Sequence, residues 1–358
     1  MQIQQPNNFN SRGLRLSALV VCTVLCACVS QAQGQAEHSK HSSYQIEGKV
    51  TEPRLFAEGI ISTVDDEIGG SFSPDGTEFY FSRLVPYTTL PRLGLMCVSY
   101  YRNGQWSTPE ALPFSGKYLD YPPKFDSTGK KLLFASSRPL PDGTRGGVRI
   151  WEVERTASGW GDPHPLPTPV NASGSYWNAD PSESNDGTLY FSSDRGGQGA
   201  IHIYRTRLVD GKYSEPEKLG IEINSEFNEY QPYVSPDGNT LIFVSSGAQG
   251  PPYNHRPEDI NTGGKPYLRG DLYISFNRGG KWASARHLEH GVNSFAEEEF
   301  PFLTPDGKYF FFSSGRSPFT VPTAHRLTYD ELENDLHSPL NGHGNVFFVG
   351  EEALELPQ

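Results

Sequence analysis

The residues best able to do chemistry in this sequence recur at fixed distances from one kind of turn. Nine residues before each of Gly76, Gly129, Gly187, Gly238 and Gly307 stand Glu67, Asp120, Asn178, Glu229 and Glu298. Four carboxylates and one amide at one repeated place could ring the mouth of a channel. Glycoside hydrolysis wants two carboxyl groups about 5 Å apart for retention or about 6.5–9.5 Å for inversion, and Glu67, Glu229 and Glu298 are the candidates. After the strand that follows each turn come Arg83, Arg138, Arg195 and Arg316, except that the fourth copy has no arginine there and carries a long insertion instead. A lyase acting on uronic acids would want an arginine to neutralise the substrate carboxylate and a tyrosine or histidine to take the neighbouring proton. Arg195, Arg256, Tyr230, His255 and His325 could supply these.

Repetition itself points another way. A residue present in every copy braces neighbouring copies more readily than it catalyses, because a catalytic centre is asymmetric. Acid–arginine pairs between neighbouring copies would satisfy both charges. Departures from the repeat are therefore sharper clues. The third copy adds Tyr176, Trp177 and Asp180 around Asn178, the fourth places Phe227 and Asn228 before Glu229, with Tyr230 and Gln231 after it, and the fifth has Glu297, Glu298 and Glu299 in a row. Ring faces beside carboxylates and amides suit a sugar, whose C–H faces stack while its hydroxyls need polar partners. Asp120, Trp177, Asn178 and Asp180, with Arg83, Arg138 and Arg316, are expected to hold such a ligand. Two long loops, residues 247–269 and 316–344, carry Tyr253, His255 and Tyr267 in one and His325, His337 and His343 in the other. The histidines lack a tight ligand spacing such as H-E-x-x-H. No cofactor signature is evident, and calcium or another divalent ion in the acidic mouth is left open.

These residues hang on a hairpin unit. Ser73-Pro74-Asp75-Gly76 precedes an aromatic run, Glu78-Phe79-Tyr80-Phe81, and equivalents end at Gly129, Gly187, Gly238 and Gly307, spaced 53, 58, 51 and 69 residues apart. Proline presets φ, aspartate bonds its own backbone and glycine accepts positive φ, so each tetrapeptide is a turn between two strands. A third strand is expected over 95–100, 148–153, 201–204, 271–276 and 345–349. A fourth is marked by an aromatic, a proline and a leucine, as in Trp106, Pro109 and Leu112. The fifth copy lacks its fourth strand, and Val50, Pro53 and Phe56 occupy the same spacing ahead of the first hairpin. The expectation is an all-β fold: a single β-propeller of about five four-stranded blades over residues 44–358, closed by an N-terminal strand that completes the last blade and protects the sheet edges.

The five turn-and-strand copies resemble the WD40-like PD40 repeats of the TolB group, over nearly all of the chain after its leader. The resemblance implies a propeller and leaves function wide, since such repeats occur in binding proteins, in peptidase propeller domains and in oligogalacturonate lyase. TolB itself has six blades and an additional α/β domain, for which this chain has no room.

Residues 1–32 read as a leader, with Arg12 and Arg15 before an apolar run at 16–25 that is too short for a membrane span of about 20 residues. Ser30-Gln31-Ala32 suits signal-peptidase cleavage, while Leu25-Cys26-Ala27-Cys28 reads as a lipobox that would acylate Cys28. Residues 33–43 read as a flexible tether. The expected location is outside the cytoplasm, in the periplasm or as an outer-membrane lipoprotein, with the membrane touched only through such an anchor. Three of the four cysteines lie in the leader, so no disulfide framework is expected. Without Arg12 and Arg15, 28 basic residues face 42 acidic ones, a net charge of −14, which repels nucleic acid. No G-x-S-x-G elbow, phosphate loop or dinucleotide fingerprint is present. Two readings stand: a propeller binding a glycan or protein ligand on its loop face, or a carbohydrate-active enzyme, lyase or hydrolase, with its site at the channel mouth.

Overall fold

The computed structural model describes residues 44, 46, 48–85, 92–172, 176–197, 200–246, 270–318, 323 and 325–357. The chain divides into Met1–His41 and Ser42–Gln358, and the described residues all belong to the second unit. They form five small antiparallel sheets arranged as a five-bladed β-propeller. Blade 1 consists of Asp66–Phe72, Glu78–Leu84 and Gly94–Arg102, with an outer edge in two pieces, Gln105–Trp106 and Glu110–Ala111. Blades 2, 3 and 4 repeat this order, with innermost strands at Lys124–Phe125, Asn178–Glu183 and Glu229–Val234. The fourth strand is thus two short segments rather than the single strand expected. In blade 1, Pro109 stands at the break and has no N–H to give to a ladder.

Blade 5 takes Glu298–Leu303, Tyr309–Ser314 and Asn345–Gly350 from the C-terminal end and its outermost strand, Arg54–Leu55, from the N-terminal end. Arg54 pairs with Phe348 and Leu55 with Phe347. The expected closure is present. Phe56, 2% exposed, packs its ring against Phe72, Phe79, Trp106, Phe311 and Phe348, so one side chain joins blades 5 and 1. Burying such a ring contributes about 1.5–3 kcal/mol. Aromatic and aliphatic layers of the same kind fill the other blade interfaces, as with Tyr80, Met96, Phe134 and Trp151 between blades 1 and 2.

The tetrapeptide turns share one face. At the first, Ser73 Oγ donates to Asp75 Oδ1 (2.6 Å) and accepts from Glu78 N (3.0 Å), while Asp75 Oδ1 accepts from Thr77 N (3.1 Å) and Gly76 has φ +73°. The crossovers between blades and the loops after each second strand lie on the opposite face. Among the described residues one α-helix occurs there, α1 (Tyr329–Leu336), entered through a capping box of Thr328 and Glu331. No helix among the described residues is long and apolar enough to cross a membrane.

The innermost strands do not run straight. In blades 1, 3, 4 and 5 the pairing register shifts after the first two or three residues, and Gly69, Asp180, Gln231 and Phe300 take left-handed φ values of 62°, 55°, 52° and 50°. Blade 2 has Pro122 and Pro123 at the equivalent place. These bulges close the channel: Pro122, Asp180, Gln231 and Phe300 line a constriction of only about 10 Å³, about the space of a single water. Lys124 seals it further, with Nζ donating to the Gly70 carbonyl (2.7 Å) and lying 4.4 Å from the centre of the Phe302 ring. A Cβ on Gly69 would stand 2.3 Å from Pro122 Cγ, so the blades meet there at a distance only glycine permits.

Candidate functional site

Above the constriction the loop face opens into a bowl of about 950 Å³. Its wall changes character around the ring. Blades 1 to 3 supply Ile68, Leu84, Tyr121, Trp177 and Ile201, with the Tyr121 and Trp177 rings edge to face at 5.5 Å. Blades 4 and 5 supply Tyr230, Gln231, Glu297, Glu299 and Arg316, and Asp66 and His343 complete the polar side where blade 5 meets blade 1. Phe295 stands at the lip.

Hydrogen bonds across the blade 4–blade 5 seam set the polar wall. Tyr230 Oη donates to Glu297 Oε1 (3.1 Å), and Gln231 Nε2 donates to Glu299 Oε1 (3.0 Å). Gln231 is itself held at both ends, by Phe300 N to its Oε1 (2.8 Å) and by its own N–H to Ser192 Oγ (3.0 Å). Asp66 Oδ1 accepts from Gly344 N (2.9 Å).

Burial and crowding of like charge shape the acidity of this wall. Burial, reinforced by the negative charge of Glu297 and then of Asp180 and Asp66, holds the Glu299 carboxyl well above the usual carboxylate range. Burial also raises Asp66, against the pull of the Gly344 N–H, His343 and Arg92. In the constriction below, desolvation pushes Asp180 up to about 6 and Lys124 down to about 7.

The carboxylates repeated before each turn are elsewhere. Glu67, Asp120, Glu229 and Glu298 are each 0% exposed, and the expectation that they ring the channel mouth is corrected. Each accepts hydrogen bonds inside the fold. Asp120 takes Ser136 Oγ (2.6 Å), Ser115 Oγ (2.7 Å) and Arg138 Nη2 (2.8 Å). Glu67 takes Thr63 Oγ1 (2.6 Å) and Arg83 Nη2 (2.8 Å), and Glu298 takes Ser314 Oγ (2.8 Å) with Arg316 at 3.6 Å. Burial pushes Glu298 up to about 7 in spite of these partners. The amide of Asn178 fills the same place in blade 3, accepting from Ser193 Oγ (2.9 Å) and Arg195 Nη2 (2.9 Å).

The acid–arginine pairs were expected between neighbouring blades, yet they form within one blade. The arginines then reach back to the crossover by which the chain enters that blade. Arg138 donates to the Phe114 carbonyl (3.3 Å), Arg195 to those of Pro169 (3.0 Å) and Val170, and Arg316 to those of Gly291 (2.7 Å) and Val292. Their planes lie against rings, as Arg195 does over Phe191 and Tyr204. Arg83, half-buried, joins Asp65 (3.1 Å) as well as Glu67. Blade 4 has no such arginine, and Glu229 meets His202 of blade 3 (3.3 Å) together with Ser225 and Ser245.

Of the other residues singled out, Tyr230, Trp177 and Arg316 line the bowl and Asp180 the constriction. His325 is exposed and bonded to Glu331 at the start of α1 (3.1 Å), outside the bowl lining. His255 and Arg256 lie outside the described residues. Asp66, Arg92, Phe295 and Lys124 went unmarked by sequence reasoning. Alternation along a strand could have found two of the bowl residues: if Glu298 points into the blade stack, Glu297 and Glu299 on either side point away from it. Among the described residues no group of three or more histidine, cysteine, aspartate or glutamate side chains could hold a metal ion.

The chain matches no family model and no curated protein. Among solved structures it is similar to the alpha-L-arabinofuranosidase of Lactobacillus brevis, at 14% identity and TM-score 0.44, covering 80% of this chain and 90% of that one. It is also similar to the alpha-L-arabinanase of Penicillium chrysogenum (14%, 0.40, 84% and 77%) and to a puromycin-hydrolyzing peptidase of Mycobacterium tuberculosis (14%, 0.36, 81% and 44%). It spans 30% of a prolyl endopeptidase chain that it also matches. At these identities the likeness concerns the propeller fold alone.

Proposed function

We propose that this chain is an exported propeller of the PD40 repeat class that binds a glycan in the bowl of its loop face. The observation that carries the reading is the two-sided wall: Tyr121 and Trp177 on one side, and the Tyr230–Glu297 and Gln231–Glu299 pairs on the other. A sugar ring presents an apolar face and an equatorial rim of hydroxyls, and such a wall offers a partner to each. The side chains are already held by seam hydrogen bonds, so little ordering is needed on binding. Calorimetric titration with a panel of neutral oligosaccharides tests this. At least one sugar should bind the parent protein and lose its binding in Gln231→Ala. No binding across the panel, or equal binding by that variant, would sink the reading.

A second reading rests on Glu299. Burial and the neighbouring Glu297 raise its carboxyl well above the usual range, and a carboxyl so raised beside a second one is an arrangement that glycoside hydrolysis uses. Release of reducing ends from a bound oligosaccharide, lost in Glu299→Gln, would establish it. New ultraviolet absorbance from unsaturated sugars would speak for a lyase instead. Export rests on the leader-like residues 1–32. The N-terminus of protein recovered from cells decides between cleavage after Ala32 and acylation at Cys28.

A further inference from the structure

The loop face exposes large apolar side chains in a pattern that the fold does not need and that continues beyond the bowl, whose lining takes in only one of them. Two residues before Asp120, Asn178 and Glu229 stand Tyr118, Tyr176 and Phe227, and three before Glu298 stands Phe295. They are 36%, 68%, 36% and 57% exposed. Each sits on a different crossover, just where the chain turns down into an innermost strand. Three of those crossovers also share a leucine and, five residues on, an asparagine that clamps the third strand of the preceding blade: Leu166 and Asn171, Leu219 and Asn224, Leu288 and Asn293. Val64 holds the corresponding place before Glu67, so blade 1 alone has no ring there.

The backbones beneath two of these rings are fastened by side chains. Asp194 Oδ1 accepts from both Tyr176 N (3.1 Å) and Trp177 N (3.0 Å), and Phe227 N donates to Ser225 Oγ (3.1 Å). The Arg138 guanidinium lies 5.7 Å from the centre of the Tyr118 ring. A ring held at its base with its face in water has lost most of its conformational freedom before any ligand arrives, which favours binding. The four come from four different blades, with carboxylates and amides of the bowl among them. That is a set of separate platforms, whereas a protein partner is met by a contiguous apolar patch.

We infer that the ligand is a chain of several neutral sugars, long enough to leave the bowl and cross its rim, with Tyr118, Tyr176, Phe227 and Phe295 offering ring faces to successive residues. Neutrality follows from the balance of the bowl: three carboxyl groups, Asp66, Glu297 and Glu299, line it against Arg92 and His343, which already act on Asp66, while the Arg316 charge is taken up by Glu298 and two carbonyls. The inference rests on the glycan reading and adds length and charge to it.

The test compares neutral disaccharides with hexasaccharides of the same linkage (gluco-, xylo-, manno-, galacto- and arabino-series), and a polygalacturonate hexamer, by calorimetry. The neutral hexasaccharide should bind at least about tenfold tighter than its disaccharide. Tyr176→Ala and Phe227→Ala, both outside the bowl lining, should each weaken the hexasaccharide about fivefold and leave the disaccharide unchanged, with Tyr176→Phe restoring it. The polygalacturonate hexamer should not bind. A hexasaccharide no tighter than its disaccharide, or rim variants without effect, overturns the inference while leaving the bowl reading intact. Preferential binding of polygalacturonate overturns its neutrality. Failure of both lengths removes the bowl reading and this inference together.

Discussion

The two faces of the propeller push the acidity of several of their carboxylates in opposite directions. On the turn face, burial pushes Asp75, Asp186 and Asp237 upward, but hydrogen bonds from the neighbouring serine and from the residue two places on outweigh it and hold all three below the ordinary aspartate value. On the loop face, burial and like charge win, and Asp66 and Glu299 sit above the ordinary range. A turn carboxylate is surrounded by donors that its own backbone conformation creates, so its ionised form belongs to the folded state. The bowl carboxylates crowd one another, and their repulsion is what a hydroxyl-bearing ligand would relieve. The difference separates residues that hold the fold from residues left ready for something else. The buried braces of Glu67, Asp120, Glu229 and Glu298 are a third group, on the loop side of the blades in position and with the turns in purpose.

Removing a brace should have the largest effect. Asp120→Ala leaves Arg138, only 8% exposed, without its carboxylate, and should destabilise the fold by about 3–5 kcal/mol in urea unfolding followed by tryptophan fluorescence. A cost no greater than that of a turn variant would show that the braces and the turns are equivalent. Next comes ligand affinity: Trp177→Ala should weaken a bound neutral oligosaccharide about tenfold in calorimetry, and Asp237→Ala should leave it unchanged. Equal losses on both faces would erase the distinction. The same Asp237→Ala change should cost about 1 kcal/mol of stability, because the hydrogen bonds to Ser235 and Asn239 are lost at a solvated turn.

Smallest is the dependence on pH, and its two limbs carry opposite signs. The turn aspartates have depressed values, so their contribution is present above the unfolded value of about 4 and is lost as pH falls through the lower folded value. Glu299 has a raised value, so the folded state binds its proton more tightly. Stability therefore declines as pH rises from the unfolded value of about 4.3 toward the folded one. Melting temperatures measured from pH 3 to pH 9 should peak in the mildly acidic range. Glu299→Gln should lessen the alkaline limb, to which Glu298, Asp180 and Asp66 also contribute, and Asp237→Asn should lessen the acid limb, which Asp75 and Asp186 share.

The architecture was legible because it is written locally. Ser-Pro-Asp-Gly fixes a turn whatever surrounds it, and the spacing of Val50, Pro53 and Phe56 matched the missing fourth strand. The site was legible only in part. Counting back from each turn located the start of the innermost strand in blades 3, 4 and 5 but not which way its side chains point, so the buried Glu298 stood out over Glu297 and Glu299. Bulges at Asp180, Gln231 and Phe300 re-aim the strand by one left-handed residue, and no composition signal marks them beyond the proline that follows each. The His202–Glu229 contact joins two neighbouring blades through residues 27 apart in sequence, and Lys124 reaches carbonyls of blades 1 and 5, the second of which comes near it only on closure of the ring.

Closure by an N-terminal strand also sets an order of events at the ribosome. Leu55 is made early, and its ladder partner Phe347 follows roughly 290 residues later, a delay of about 15–60 s at 5–20 residues per second. For most of that interval Phe56 has no Phe311, and for all of it no Phe348, to pack against, and the outer edge that it will complete does not yet exist. Blades 1 to 4 can collapse as they emerge, each on its own local hairpins. The segment that finally locks the ring is therefore the one exposed longest, and its upkeep until then falls to whatever holds nascent chains apart.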